Sequence, residues 1–553
     1  MRPSPAALKT SLKIAACLAV AAAGLTAANT ASTAVAAPSG AAPSGAAPPC
    51  ADGTLVQTDR GPVCGLDGDG IRNWLGVPYA AAPVGNLRWE APAEHAAWTA
   101  PLQATEQGSA CPQPSDFRPG STDEDCLKLD VRVPENAGNG PLPVMVQLHG
   151  GGFRFGVPDD GTRLAKAGKV IQVEVRYRLG IMGFLSHRSL GVNAGDYGIE
   201  DQQAALRWVK RNIAKFGGDP GNVTIFGPSA GGSSVCANMA SPTARGLFQK
   251  GIIESGEYNS PRGVHAAWQA QDCATKLPTQ EQAQQAGARF AAAVGCGDAA
   301  DAAACLRAVP VKTLLETAGD GLGPNSGTMA PIVDGKTLTM SPGKAFATGN
   351  FNKVPVIHGV ARDETQIRPA DTPAQYDALL QSQYGDLAPK VLKRYPLSEY
   401  PEPAAYIASR TVIADSASVC PALLNDRRLS EHVPVYAYRF DDTNPPPLPF
   451  IDATKPVGAF HVGEWSYLYA GTFPGQPDLD PNQKPLQAQL TDQWSAFART
   501  GDPNVNGTPR WTRFTTKKQA QLSVLPAGTS RMTREVSGPF HCAFWNRLQP
   551  FGS

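Results

Sequence analysis

The sequence predicts an α/β fold: a large, mostly parallel central sheet flanked by helices, with extended loop insertions. Three observations carry this. Strand-like and helix-like segments alternate through the first half of the chain. The strand-like segments are short and apolar and several end in glycine, as strands buried on both faces of a parallel sheet do. One junction, "VTIFGPSAGGSS" at 223–234, sets a serine among small residues between a strand and a helix.

The elements follow in order. "PVMVQLHGGGF" reads as an apolar strand running into glycines, and "KVIQVEVRYRLG" as another, interrupted at alternate positions by Gln172 and Glu174. "GIEDQQAALRWVKRNIAKFGG" places Ala204, Leu206, Val209 and Ile213 at helical spacing and stops at a glycine pair. "NVTIF" is a strand, "SAGGSSVCANMA" a small-residue helix, and "VPVIHGV" a later buried strand. No repeat of solenoid length occurs.

With 553 residues, 42% hydrophobic and 18% charged, the chain can bury one or more large cores. A formal net charge of +1 and scattered Lys and Arg argue against nucleic acid or a membrane surface as main partner. Arg2, Lys9 and Lys13 precede the apolar stretch Ile14–Leu25, and Ala34-Val35-Ala36 suits a cleavage site. Residues 1–36 therefore read as a secretory signal peptide, too short in its apolar part to span a bilayer. The low-complexity run at 37–49 is a flexible leader. From residue 50 to 553 no proline-rich linker divides the chain, which reads as one large domain. No later segment reads as apolar enough for stable membrane insertion, so the expected location is extracellular.

Eleven cysteines are present, and Cys17 leaves with the signal peptide. Ten in an exported protein suit five disulfides, and they lack the paired spacing of a zinc site. Spacing alone suggests Cys50 with Cys64 and Cys296 with Cys305. Each closes a loop of about ten to fifteen residues, worth about 2–3 kcal/mol.

Gly227-x-Ser229-x-Gly231 between strand and helix is the pattern of a nucleophile elbow. The turn is so sharp that its flanking side chains must be small, and it lifts the serine hydroxyl to the N-terminus of the next helix. There the Ala230 N–H can donate to a developing oxyanion. A second glycine cluster, "LHGGGFRFG" at 148–156, lets backbone N–H groups approach a carbonyl closely. His149, beside those glycines, suits a structural hydrogen bond.

Several long blocks, in order from about Asn73 to Gln549, resemble the type-B carboxylesterase family, the cholinesterase-like branch of the α/β-hydrolase fold. They are "WLGVPYAAAPVGNLRWEAP", "EDCLKLDVRVP", "GIEDQQAALRWVKRNIAKFGGDPGNVTIFGPSAGG", "ARTGDPN" and "HCAFWNRLQP". The resemblance implies a serine esterase whose acid is Glu364, in "IHGVARDETQI", and whose base is His461, in "VGAFHVGEWSYLY". Asp363 is the rival acid; His358, on a buried strand, is expected to pack. The implied oxyanion donors are Gly151, Gly152 and Ala230. Ser255, in "GIIESG", is implied as a hydrogen-bond partner of the triad, and Glu464 as part of its field. The resemblance pairs Cys111 with Cys126, Cys296 with Cys305, and Cys420 with Cys542, which leaves Cys50–Cys64 and Cys236–Cys273.

In such a site His461 deprotonates Ser229 and must be neutral at rest, so activity is expected to fall below about pH 6–7. Neither metal nor cofactor is called for, and the expected partner is a small-molecule ester. Between Cys111 and Cys126 the chain lacks the tryptophan with which cholinesterases hold a quaternary ammonium. Uncharged esters of modest chain length are therefore expected, not choline esters. Phe153 either lines the acyl pocket or packs in the core. Two rivals stand beside this reading: a lipase or polymer esterase acting at an interface, and a non-catalytic binding or adhesion protein of the same fold. Asn222-Val-Thr and Asn506-Gly-Thr match the glycosylation pattern. One departure is notable: the family commonly has glutamate before the nucleophile, and here Pro228 stands there. Its lack of an N–H predicts that strand pairing ends at Phe226 or Gly227. Its lack of charge predicts a lower working pKa for His461.

Overall fold

Among the described residues eleven strands join in one mixed sheet, and their order decides what meets at its centre. The computed structural model describes residues 50–548, apart from 115–119, 136, 139, 258–272, 275–276, 320–322, 324, 365–368, 449–451, 453 and 470–475. The readings of a signal peptide at 1–36 and a leader at 37–49 lie outside the described residues.

From one edge the strands are Arg531–Thr533, Gln521–Val524, Val435–Phe440, Val356–Ala361, Lys250–Glu254 and Gly218–Pro228. Then come Leu142–Leu148, Ile171–Val175, Lys128–Pro134, Ile71–Pro78 and Leu66–Gly68. Every pairing from Gln521–Val524 to Ile171–Val175 is parallel. The edges beyond are antiparallel. The central strands are buried along their whole length, as a sheet covered by helices on both faces requires. The acid in "IQVEV" is partnered inside the core: Glu174 is fully buried, and its Oε1 accepts from Arg132 Nε at 2.7 Å and from Gly161 N at 2.7 Å.

The helix Tyr197–Asn212 buries Ile199, Leu206 and Val209, then tightens through Ile213–Phe216 and stops at Gly217, whose φ is 84°. A left-handed residue there favours glycine. One sequence expectation needs correction. The helix run Ala404–Ser430 is long and apolar enough to cross a membrane by length and composition, and 78% of its most apolar window is buried inside the protein. It packs in the core, where its polar residues Arg410, Asp415 and Asp426 are buried as well.

Five cysteine pairs lie at disulfide distance: Cys50–Cys64, Cys111–Cys126, Cys236–Cys273, Cys296–Cys305 and Cys420–Cys542, with Cα separations of 5.0–5.8 Å. The Cys420–Cys542 bridge spans 122 residues and ties the C-terminal helix Cys542–Leu548 to the helix Cys420–Ser430.

The proline also departs from expectation. The strand Gly218–Pro228 pairs through Pro228, which stands opposite Glu254. N–H groups of successive strand residues point to opposite neighbours. Ser229 N donates to Glu254 O at 2.8 Å, so position 228 points its missing donor the other way. On that side pairing with Leu142–Leu148 has already ended, at Gln147 opposite Phe226. No ladder bond is lost.

Candidate active site

Ser229 sits between the strand Gly218–Pro228 and the helix Ala230–Ala240 with φ 61° and ψ −128°. A non-glycine residue held there stores about 1–3 kcal/mol of strain. Its neighbours are small for a measurable reason. A Cβ on Gly227 or on Gly231 would lie 2.0 Å from Leu148 O. Ser229 is half-buried, and Ala230, first in its helix, has an N–H with no intrahelical acceptor.

The glycine loop abuts this elbow. A Cβ on Gly150 would lie 2.9 Å from Pro228 O and 3.2 Å from Ser229 Cβ. Gly151, Gly152 and Phe153 follow with φ of 111°, 63° and 58°, turning the chain tightly past the serine. Three contacts hold the loop: Tyr177 OH donates to His149 O at 2.7 Å, Gly180 N to Phe153 O at 2.6 Å, and Gly156 N to Gln113 Oε1 at 2.7 Å. His149 stacks on Tyr177 with ring centroids 4.4 Å apart, a structural role. Phe153 is fully buried, edge-on to Phe184, so it belongs to the core and not to an acyl pocket.

Glu364 follows the strand Val356–Ala361 and is 1% exposed. Its Oε1 accepts from Ala361 N at 3.0 Å, and its Oε2 lies 2.5 Å from His461 Nδ1. Asp363 turns elsewhere. It meets Arg362 at 2.8 Å and Arg410 at 3.5 Å, and its Oδ2 accepts from Ala459 N at 2.8 Å. Gly458, at φ 64°, leaves room for that carboxylate: a Cβ would stand 2.3 Å from Asp363 Oδ2. One acid thus anchors the histidine loop, and the next meets the histidine. Ser255 is buried at φ 49°, with its N–H on Gly359 O at 2.8 Å; its Oγ makes no hydrogen bond among the described residues.

His358 does more than pack. Fully buried, it bridges two acids, with Nε2 2.8 Å from Glu257 Oε1 and Nδ1 2.7 Å from Asp426 Oδ1. Burial opposes the charged ring, but Glu257 and then Asp426 outweigh it and raise its pKa to about 10. His358 stands one row before Gly359 on its strand, so it faces away from the row that carries Glu254.

Glu464 is fully buried and accepts from Tyr438 OH at 2.8 Å. Burial pushes its carboxyl up to about 7; the charge of Glu364 acts the same way, and the Tyr438 hydrogen bond opposes it. Glu254, Tyr438, Trp494 and Gln113 were missed from the sequence. A signal for Glu254 existed: a strand buried on both faces cannot show an acid at its end to bulk water.

Known proteins resemble the chain along most of its length. A model of the carboxylesterase family matches residues 52–545. The para-nitrobenzyl esterase of Bacillus subtilis (strain 168) is 35% identical over 485 residues, covering 82% of this chain and 91% of the relative. The fumonisin B1 esterase of Sphingopyxis macrogoltabida is 32% identical, covering 84% and 85%. A solved PNB esterase structure superposes with a TM-score of 0.71 at 33% identity, covering 87% of this chain and 98% of its own. The chain belongs to the carboxylesterase family. It has the α/β-hydrolase fold and is a carboxylic ester hydrolase acting on small-molecule esters.

Proposed function

We propose that the chain is an exported serine esterase whose domain, residues 50–553, cleaves uncharged carboxylic esters of modest chain length through Ser229, His461 and Glu364. The observation that carries the reading is the 2.5 Å contact of Glu364 with His461, across 97 residues of chain. Supporting it are the strained serine at the elbow and the glycine loop packed on it.

His461 takes the hydroxyl proton of Ser229 as the oxygen attacks the ester carbonyl. Glu364 fixes the Nδ1–H tautomer and stabilises the imidazolium. N–H groups of Gly151, Gly152 and Ala230 hold the tetrahedral oxyanion; one such donor is worth about 2.7–4 kcal/mol. The imidazolium returns its proton to the leaving alkoxide, which departs as the alcohol. Water, deprotonated by the same histidine, then attacks the acyl-enzyme and releases the acid. Export is supported by the five cystine pairs and the apolar leader pattern.

The test is a panel of esters of graded acyl length, assayed on the wild type and Ser229→Ala. Saturable hydrolysis of short uncharged esters, lost in the variant, is expected. Activity that jumps only above the substrate's solubility limit would instead mark an enzyme of interfaces.

A further inference from the structure

Two buried carboxyl groups beside the elbow and the histidine segment have no use in the reaction above. Glu254 ends the strand Lys250–Glu254, and Glu464 lies three residues past the histidine. Both are fully buried. Trp494 Nε1 donates to Glu254 Oε1 at 2.9 Å, and Tyr438 OH to Glu464 Oε1 at 2.8 Å. The other oxygen of each, Oε2, is buried and has no hydrogen-bond partner among the described residues.

The sheet brings them together. Pro228, Glu254, Gly359 and Tyr438 stand in one register row across four parallel strands. Residues in such a row share a face. Gly359 carries no side chain, and the Tyr438 ring lies over it: a Cβ there would be 2.3 Å from Tyr438 Cδ1. Tyr438 feels the charges of Glu464, Glu254 and Glu364 in turn. A carboxylate at position 228 would stand in this same row; with proline there, the row's carboxyl is Glu254, one strand over.

The groups that face the pair are Tyr438 from its strand, Trp494 from the helix Lys484–Thr500, Glu364, and His461 and Tyr469 from the histidine segment. Burial raises both tyrosines, so they stay neutral. His461 is the nearby cation when protonated, and Glu364 already meets it. Two adjacent buried carboxyls without a cation of their own cannot both ionise.

We propose that Glu254 and Glu464 hold one proton between them and carry a single negative charge near His461, a positioning pair that sets the basicity of the imidazole. This rests on the reading of His461 as the base. Burial first, and then the charge of Glu464, lifts Glu254 well above the carboxylate range. The proton therefore resides mainly on Glu254, and the charge mainly on Glu464, which His461 feels directly.

The test is kcat/KM against pH for wild type, Glu254→Gln and Glu464→Gln. The two substitutions, alike in size and shape, should act in opposite directions. Glu254→Gln relieves the repulsion, Glu464 ionises more fully, and the pKa of the acid limb rises. Glu464→Gln removes the carboxylate nearer the histidine, and that pKa falls. Each shift is expected to be about half to one unit. Shifts of the same sign, or none, overturn the pair.

A second readout is independent of catalysis. A carboxyl whose folded pKa exceeds its unfolded one contributes stability fully below the unfolded value and loses it as pH rises through the folded value. Wild-type stability to urea should therefore fall as pH rises from 4.5 to about 7, the ordinary and folded values of Glu464, and level off above. Either substitution should flatten that fall. Tyr438→Phe, which removes a donor and leaves both acids, should move it to higher pH. A slope unchanged in both Gln variants overturns the pair even if the esterase reading stands. Full activity in His461→Asn sinks the esterase reading while the urea data still judge the pair.

Discussion

Glu364 Oε2 lies 2.5 Å from His461 Nδ1, while the adjacent Asp363 binds the backbone N of Ala459 at 2.8 Å in the loop that carries the histidine. Two neighbouring acids thus divide two tasks. Glu364→Gln should lower kcat by about 10³–10⁴-fold with little change in melting temperature, since the wrong tautomer is favoured and the fold is kept. Asp363→Asn should do the reverse: a lower melting temperature, with kcat per folded molecule within about tenfold, because only the anchor of the loop is weakened. Paired kinetics and thermal melts decide it; the opposite pattern would transfer the acid role to Asp363.

Gly150→Ala probes the fit of the glycine loop against the elbow. Its Cβ would press on Pro228 O at 2.9 Å and Ser229 Cβ at 3.2 Å. Displacing either wall of the site by a few tenths of an ångström should reduce kcat by about 10²-fold, with a smaller effect on KM. A variant with wild-type kcat would show that the loop and serine need not sit so close.

Much of this was open to reading and some was not. The strand Leu142–Leu148 was legible because its apolar run gives way to His149 and a glycine cluster, and the elbow because three small residues flanked one hydroxyl. Glu364 and His461 were legible only through resemblance. Nothing local to either segment says that the strand Val356–Ala361 lies two places from Gly218–Pro228 in the sheet. His358 read as packing because a strand of buried apolar residues surrounds it; its partners Glu257 and Asp426 come from 101 and 68 residues away. Pro228 misled because ladder bonding depends on which neighbour the missing N–H faces, a property of strand order.

The buried imidazolium of His358 makes stability depend on alkaline pH. Its folded value, about 10, lies above the ordinary 6.5. Its contribution is therefore complete below about pH 6.5 and is lost as pH rises toward 10. Urea midpoints measured from pH 6 to 10 should decline in the wild type. His358→Gln should be destabilised at pH 6 by about 3–5 kcal/mol, since two buried acids lose their cation, and should decline less with pH. Parallel curves for the two proteins would contradict the assignment.

Pro228→Glu adds a carboxyl to the row that already holds Glu254. More negative charge near His461 stabilises the imidazolium, so the acid limb of kcat/KM should move to higher pH by about one unit, roughly 1.4 kcal/mol. A limb that stays in place, or moves down, would deny that residue 228 acts on the histidine through charge.

The reactivity of one hydroxyl among the chain's many serines is the most direct measure of the whole account. Treat the folded protein with an organophosphate and map the adduct by mass spectrometry. A single adduct on Ser229, absent in Ser229→Ala and much slower to form in His461→Asn, is expected. Ester hydrolysis that persists with Ser229 unmodified, or an adduct on a different serine, would contradict it.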